Sequence, residues 1–254
     1  MDNWLKQTDK PLFENMLWSK PENKQAAGKL LIIGGQKDNF SHVAATYEAA
    51  IKAGAGTVRT LLPESLRKVA QFLPDIEFAP VNKSGGFSSS ALDAMLDLSA
   101  WADMVLLAGD FGKSSETTAL LDNYLKKYSG PLAISSRVLE SIDADIIGKN
   151  ALFMCEFESL QRFAKDSGSK EAFTSDMGAV RFSEVLHNFS ETNELKTVVE
   201  YQKNIWVAAE NNMSSTESKF NIDTISAYAS VWLMQNPSQP FKALTTACFE
   251  TRTL

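Results

Sequence analysis

Cysteine and histidine are scarce in this chain, with two of each among 254 residues. Cys155 and Cys248 lie far apart, and two thiols in a chain of this size suit a reducing compartment, where they serve as small buried apolar groups. His42 and His187 are isolated, and no Cys/His spacing resembles a zinc site, so no metal site is expected from them. A basic excess is missing too: 25 Lys and Arg stand against 31 Asp and Glu, a net charge of −6, which argues against non-specific binding to nucleic acid. No stretch approaches the roughly 20 apolar residues that cross a bilayer, so no membrane partner is expected. Met1 to Lys6 show no basic stretch leading into an apolar run, so no secretory leader is expected and a cytoplasmic setting is. Nothing in the composition speaks against a homo-oligomer.

What remains is the balance of a folded protein, 44% hydrophobic and 22% charged. The length allows two small domains or one large α/β domain. Leu30-Leu31-Ile32-Ile33 is a buried-strand run ending at Gly34-Gly35, and Val43 to Ala53 is Ala-rich with Val43, Tyr47, Ala50 and Ile51 at helical spacing. Gly54 and Gly56 stop that helix, and Thr57 to Leu62 reads as the next strand. The alternation continues with strand 104–107, a helix from about Ser115 to Tyr128, strand 132–134 after Gly130-Pro131, strand 151–154 and a helix through Phe163. Such alternation with short breaks predicts a mostly parallel sheet covered by helices on both faces, in one domain over residues 1–254. Farther on, Thr197 to Val199 and Ile205 to Ala208 read as a hairpin on the sheet edge, Glu210 to Lys219 as a polar loop, and Ile222 to Gln235 as a helix with Ile222, Ile225, Ala229, Trp232 and Leu233 on one stripe. Lys83 to Ser90 and Lys165 to Asp176 read as surface loops.

The run Asn23-Lys24-Gln25-Ala26-Ala27-Gly28-Lys29-Leu30-Leu31-Ile32-Ile33-Gly34-Gly35, followed by Ala45 to Gly56 with its Ala-Gly-Ala-Gly end, resembles the opening of the NAD(P)H-hydrate dehydratases. These belong to the ribokinase-like superfamily. The resemblance is most specific from Asn23 to Gly56 and weakens toward Gln235. It implies a ribokinase-like three-layer α/β/α fold and ADP- or ATP-dependent repair of hydrated nicotinamide nucleotides, with Mg as the accompanying ion and a small-molecule nucleotide as the partner.

The family's functional motifs are altered here. Gly-Pro-Gly-Leu-Gly becomes Ala108-Gly109-Asp110-Phe111-Gly112, and Asp-Ala-Asp becomes Ser135-Ser136-Arg137. Thr-Pro-His-Pro-Gly-Glu becomes Phe153 to Glu158, keeping the last carboxylate, and Leu-Lys-Gly becomes Glu200-Tyr201-Gln202. Gly-Thr-Gly-Asp becomes Phe220-Asn221-Ile222-Asp223, keeping the aspartate. Glycines in such a turn let backbone N–H groups and a helix dipole hold a phosphate while the aspartate takes a hydroxyl proton. The resemblance therefore implies Asp223 as catalytic base and Asn221, Ile222 and Gly112 as the phosphate-facing positions. It places Gly34, Gly35, Asn39, His42 and Glu158 toward the substrate.

Each position also has a plain structural reading. Asn221 is a good N-cap, and an acid such as Asp223 is favoured in a first helical turn by the dipole alone. Gly34-Gly35 and Gly112 serve equally as turn glycines, and Glu158 as a solvated acid at a helix start beside Glu156. His42, lacking a visible partner in the sequence, reads as a surface or capping residue, and Trp206, Phe220 and Trp232 as core. Two functions follow: a dehydratase or related small-molecule kinase with reduced activity, or an inactive relative kept for binding or assembly.

Overall fold

The side-chain alternation along each strand decides which helices can cover it. The computed structural model describes residues 4–37, 39–142, 146–217, 219 and 221–253. In chain order its elements are β1 (Trp4–Gln7), α1 (Glu14–Leu17), β2 (Lys29–Ile33), α2 (Ser41–Ala53), β3 (Thr57–Pro63), β4 (Ile76–Ala79), α3 (Leu92–Trp101) and β5 (Met104–Leu107). Then come α4 (Ser115–Lys127), β6 (Leu132–Ser135), β7 (Leu152–Glu156), α5 (Phe157–Asp166), α6 (Ala179–Thr192), β8 (Lys196–Tyr201), β9 (Asn204–Ala209), β10 (Asn212–Glu217), α7 (Ile222–Gln235) and α8 (Pro240–Glu250).

All ten strands form one sheet in the order β1-β10-β9-β8-β7-β6-β5-β2-β3-β4. Pairing is parallel except at β8–β9 and β9–β10, so β9 alone runs against its neighbours among the described strands. On one face Leu30, Ile32, Met104 and Leu106 pack with Val43, Ala50, Ile225, Trp232 and Leu244, bringing α2, α7 and α8 onto the sheet. The next residue along each strand points the other way. Leu31, Ile33, Val105 and Leu107 meet α3 and α4, and Phe153, Val199 and Trp206 meet α5 and α6. The result is the three-layer α/β/α arrangement, with β2 and β5 buried on both faces.

The chain leaves β2 toward β3 and β4, then returns through α3 to place β5 on the other side of β2. This reversal of strand order opens a crevice at the C-terminal ends of β2 and β5. Gly34 lies at its floor. A Cβ there would stand 1.7 Å from the Ala108 carbonyl oxygen, so only glycine lets the two chains pass. Farther along, α2 stops at Gly54, whose φ of 96° is left-handed and whose N–H reaches the carbonyls of Ala50 and Ile51.

Three sequence expectations change. The segment Glu210 to Lys219 is not a loop: Asn212–Glu217 is β10, and Ser214, Ser215 and Thr216 are buried. Its hydroxyls replace the missing apolar alternation, Ser214 Oγ meeting Thr245 Oγ1 of α8 at 2.7 Å and Ser215 Oγ accepting from Trp4 Nε1 at 3.1 Å. For the same reason the β8–β9 hairpin lies inside the sheet, with β10 and β1 beyond it, and not on its edge. Lys83 to Ser90 is only partly a surface loop, because Phe87 is fully buried against Phe111. Trp206 and Trp232 are core residues; Phe220 and Ser218 lie outside the described residues.

The crowding at Gly34 gives a direct test. Gly34→Ala should lower unfolding stability by about 3 kcal/mol, the upper range for forcing extra volume into a packed site. Gly148→Ala, where nothing lies within 4 Å, should stay within about 0.5 kcal/mol. Urea unfolding of both variants checks the contrast.

Candidate functional site

The crevice at β2 and β5 collects most of the residues that the sequence singles out. β2 runs into Gly34 and Gly35, the latter at φ 90°. Gln36 and Asn39 then close a tight turn by exchanging backbone hydrogen bonds, at 3.3 Å to the Asn39 carbonyl and 3.0 Å to that of Gln36. The turn delivers the chain to α2, so His42 stands in that helix's first turn, directly over the crevice. No side chain caps the α2 N-terminus. Gly109, at φ 76°, follows β5 and lies close under His42 and Val43.

Asp223 reaches the same place from α7. It sits in the first helical turn and is 9% exposed, and its Oδ2 lies 2.8 Å from His42 Nδ1. His42 is therefore not partnerless, as the sequence reading has it; its partner lies 181 residues away along the chain. The packing of α2 against α7 brings the two N-termini together, and both helix dipoles present their positive ends to the carboxylate. The second nitrogen, Nε2, has no hydrogen-bond partner among the described residues, and the His42 side chain is 27% exposed.

The phosphate-facing positions are arranged differently from the expectation. Asn221 caps α7, and its Oδ1 accepts from the N–H groups of both Asp223 and Thr224 at 3.1 Å. Two of the amides that would hold an anion are thus satisfied by the chain itself. The Ile222 side chain is buried in the core. Gly112 does not open its helix, since α4 begins at Ser115 with Ser114 as N-cap. Its N–H donates to Asp110 Oδ1 at 2.7 Å, while Asp110 Oδ2 accepts from Gln36 Nε2 at 2.6 Å. A carboxylate therefore occupies the seat that the resemblance assigns to a phosphate. The resemblance places Gln36 to His42 along the substrate pocket and Asp110 inside an altered motif, but the sequence reading gives neither Gln36 nor Asp110 a role of its own; the Asp-x-Gly spacing of an Asx turn is the signal for Asp110.

Glu158 is not part of this group. It lies exposed in the first turn of α5, after β7, which is three strands from β2, or about 14 Å at the usual strand spacing. Nearer the sheet, Glu156 and Glu200 face each other across the β7–β8 register, with Ser136 Oγ donating to Glu156. Burial first, and then the charge of Glu156, raises the Glu200 carboxyl above the ordinary carboxylate value. The Cys155 thiol is raised well above its usual value by burial and then by Glu156, which leaves it inert as a nucleophile.

A nucleotide polyphosphate would have to displace the chain's own oxygens to reach the backbone N–H groups here, since both cradles are filled by Asn221 and Asp110. A cleft of about 800 Å³ lies at the opposite, N-terminal end of the sheet, lined by Met104, Tyr128, Lys149 and Lys196. Its cations are engaged, Lys149 with Glu194 and Lys196 with the Asn150 carbonyl. Ligands of doubly wound sheets bind at the other end, where the strand order reverses and the His42–Asp223 pair lies.

Known proteins resemble this chain in sequence and in fold. No family model matches the chain. The bifunctional NAD(P)H-hydrate repair enzyme Nnr of Methanocaldococcus jannaschii is 30% identical over 125 residues, which is 48% of this chain and 24% of that protein. The ADP-dependent (S)-NAD(P)H-hydrate dehydratase of Natrialba magadii is 28% identical over 155 residues, covering 60% of this chain and 58% of that one. The matches thus span between a quarter and three fifths of these curated relatives. Among solved structures, a ribokinase-like superfamily protein from Enterococcus faecalis V583 superposes with a TM-score of 0.73 at 12% identity, over 97% of this chain and 86% of that one. The ADP/ATP-dependent NAD(P)H-hydrate dehydratase from Bacillus subtilis, co-crystallized with ATP/Mg2+, gives 0.67 at 12% identity over 96% and 87%. The fold is ribokinase-like, and the chain resembles the NAD(P)H-hydrate dehydratases.

The carboxylate pair yields a pH prediction. A carboxyl whose value is raised in the fold binds its proton more tightly there than in the unfolded chain, so stability falls as pH rises through that raised value. Glu200→Gln should therefore raise the melting temperature near pH 7, and the gain should disappear near pH 4. Thermal scans of both proteins across that range decide it; an equal gain at both ends would place the effect elsewhere.

Proposed function

We propose that the chain is an NAD(P)H-hydrate dehydratase-like protein of nicotinamide nucleotide repair. In this reading the half of the site that faces a ligand hydroxyl is kept, and the half that faces a polyphosphate is closed. The observation that carries this is the position of Asp223, held in the first turn of α7 over the crevice where β2 and β5 part, with His42 against it. Phe72, 68% exposed and edge-on to Phe40 at 5.8 Å, adds an aromatic wall just ahead of α2, which suits a planar heterocycle. The curated relatives, named for hydrate repair, supply the substrate class.

Closed cradles imply weak donor binding and slow turnover. Displacing the Asn221 carboxamide from α7 costs about 1 kcal/mol of capping, while the Asp110 charge repels an incoming phosphate at close range. The same two contacts support a second reading, an inactive relative kept as a binding or assembly protein, because missing anion donors each cost roughly 10²–10³ in rate.

The readings part on a simple pair of measurements. A repair enzyme shows a melting shift with ADP or ATP plus magnesium, and turnover of hydrated NADH that Asp223→Asn reduces by about 10² or more. A binding relative shows no turnover, and its stability does not change with nucleotide at millimolar concentration.

A further inference from the structure

The geometry points to His42, and not Asp223, as the residue that offers the proton-accepting atom of this site. That atom is Nε2, which accepts a hydrogen bond from a ligand hydroxyl, with Asp223 as the positioning residue behind it. The assignment rests on the reading of this crevice as the ligand site. It needs no phosphate donor.

An ionised carboxylate can only accept a hydrogen bond, so the 2.8 Å contact between Asp223 Oδ2 and His42 Nδ1 places a hydrogen on Nδ1. A neutral imidazole with its hydrogen on Nδ1 carries a lone pair on Nε2. The Asp223 side chain has one oxygen committed to this bond and is 12% exposed, whereas the His42 side chain is 27% exposed and its Nε2 is unengaged among the described residues. Asp223 is thus the inner member and His42 the outer one. The His42 backbone is anchored as well: its carbonyl accepts from Thr46 Oγ1 at 2.8 Å, and Gly109 lies beneath its Cβ. A ligand lying along the crevice above Gly35 and Gly109 meets the imidazole before it can reach the carboxylate.

The chain has two histidines, which makes the test clean. Imidazole ¹⁵N NMR of the intact protein at neutral pH should show His42 protonated on Nδ1 and bare on Nε2, and Asp223→Asn should abolish that preference. Acylation by diethyl pyrocarbonate, followed by mass spectrometry with His187 as internal reference, should modify His42 in the native protein and proceed about tenfold more slowly in Asp223→Asn. A hydrogen on Nε2 in the native protein, or an acylation rate unchanged by Asp223→Asn, overturns the assignment. These measurements use no nucleotide. Loss of hydrated-NADH turnover in the native protein would therefore remove the repair reading while leaving the assignment to the NMR and acylation results. Where turnover is present, His42→Gln should lower kcat by about 10², and unchanged kcat overturns the assignment.

Discussion

The reversal of strand order between β2 and β5 is the constraint on which the rest of the molecule depends. Two parallel strands that part company can leave a crevice only if their backbones pass closely at its floor, and Gly34 against the Ala108 carbonyl is that passage. Everything chemically suggestive hangs from it. Gly35 and the Gln36–Asn39 turn aim α2 back over the gap, Gly109 clears room beneath it, and α7 closes from the same face of the sheet. The His42–Asp223 hydrogen bond is the point where these independent trajectories meet.

Much of this was written in local patterns and some was not. Short apolar runs bounded by glycines mark β2, β3, β5 and β6, because a strand buried on both faces has no need of polar alternation. β10 escapes that logic. Asn-Met-Ser-Ser-Thr-Glu has the composition of a loop, and its burial depends on hydroxyl partners supplied by α8 and β1, which no window along the chain contains. The site divides in the same way. Asp223 and its cap Asn221 are two residues apart in sequence and legible there. The partnership of His42 with Asp223 spans 181 residues and depends on the packing of α2 against α7. The N–H of Gly112, read as phosphate-facing from the resemblance, is met in the structure by the side chain of Asp110 two residues earlier.

Asp110 and Asn221 do a common thing by different means. Each places an oxygen of the chain's own on backbone N–H groups that point into the crevice. These N–H groups are thereby satisfied by the chain itself, and an anion would reach them only by displacing those oxygens.

The two tight turns around β9 carry a different consequence. Gln202 and Lys203, and then Glu210 and Asn211, all have φ between 49° and 61°, so β8, β9 and β10 follow one another through two-residue reversals of the type I′ kind. Closing such loops costs little entropy, and hairpins form within microseconds. β1, by contrast, joins β10 from the far end of the chain, with Trp4 and Ser215 separated by 211 residues. Assembly of that margin of the sheet therefore has an order built into it: the meander can organise by itself, and the outer strand must wait for it. The outermost strand β1 therefore depends on the meander for its partners, while the meander's own turns do not depend on β1.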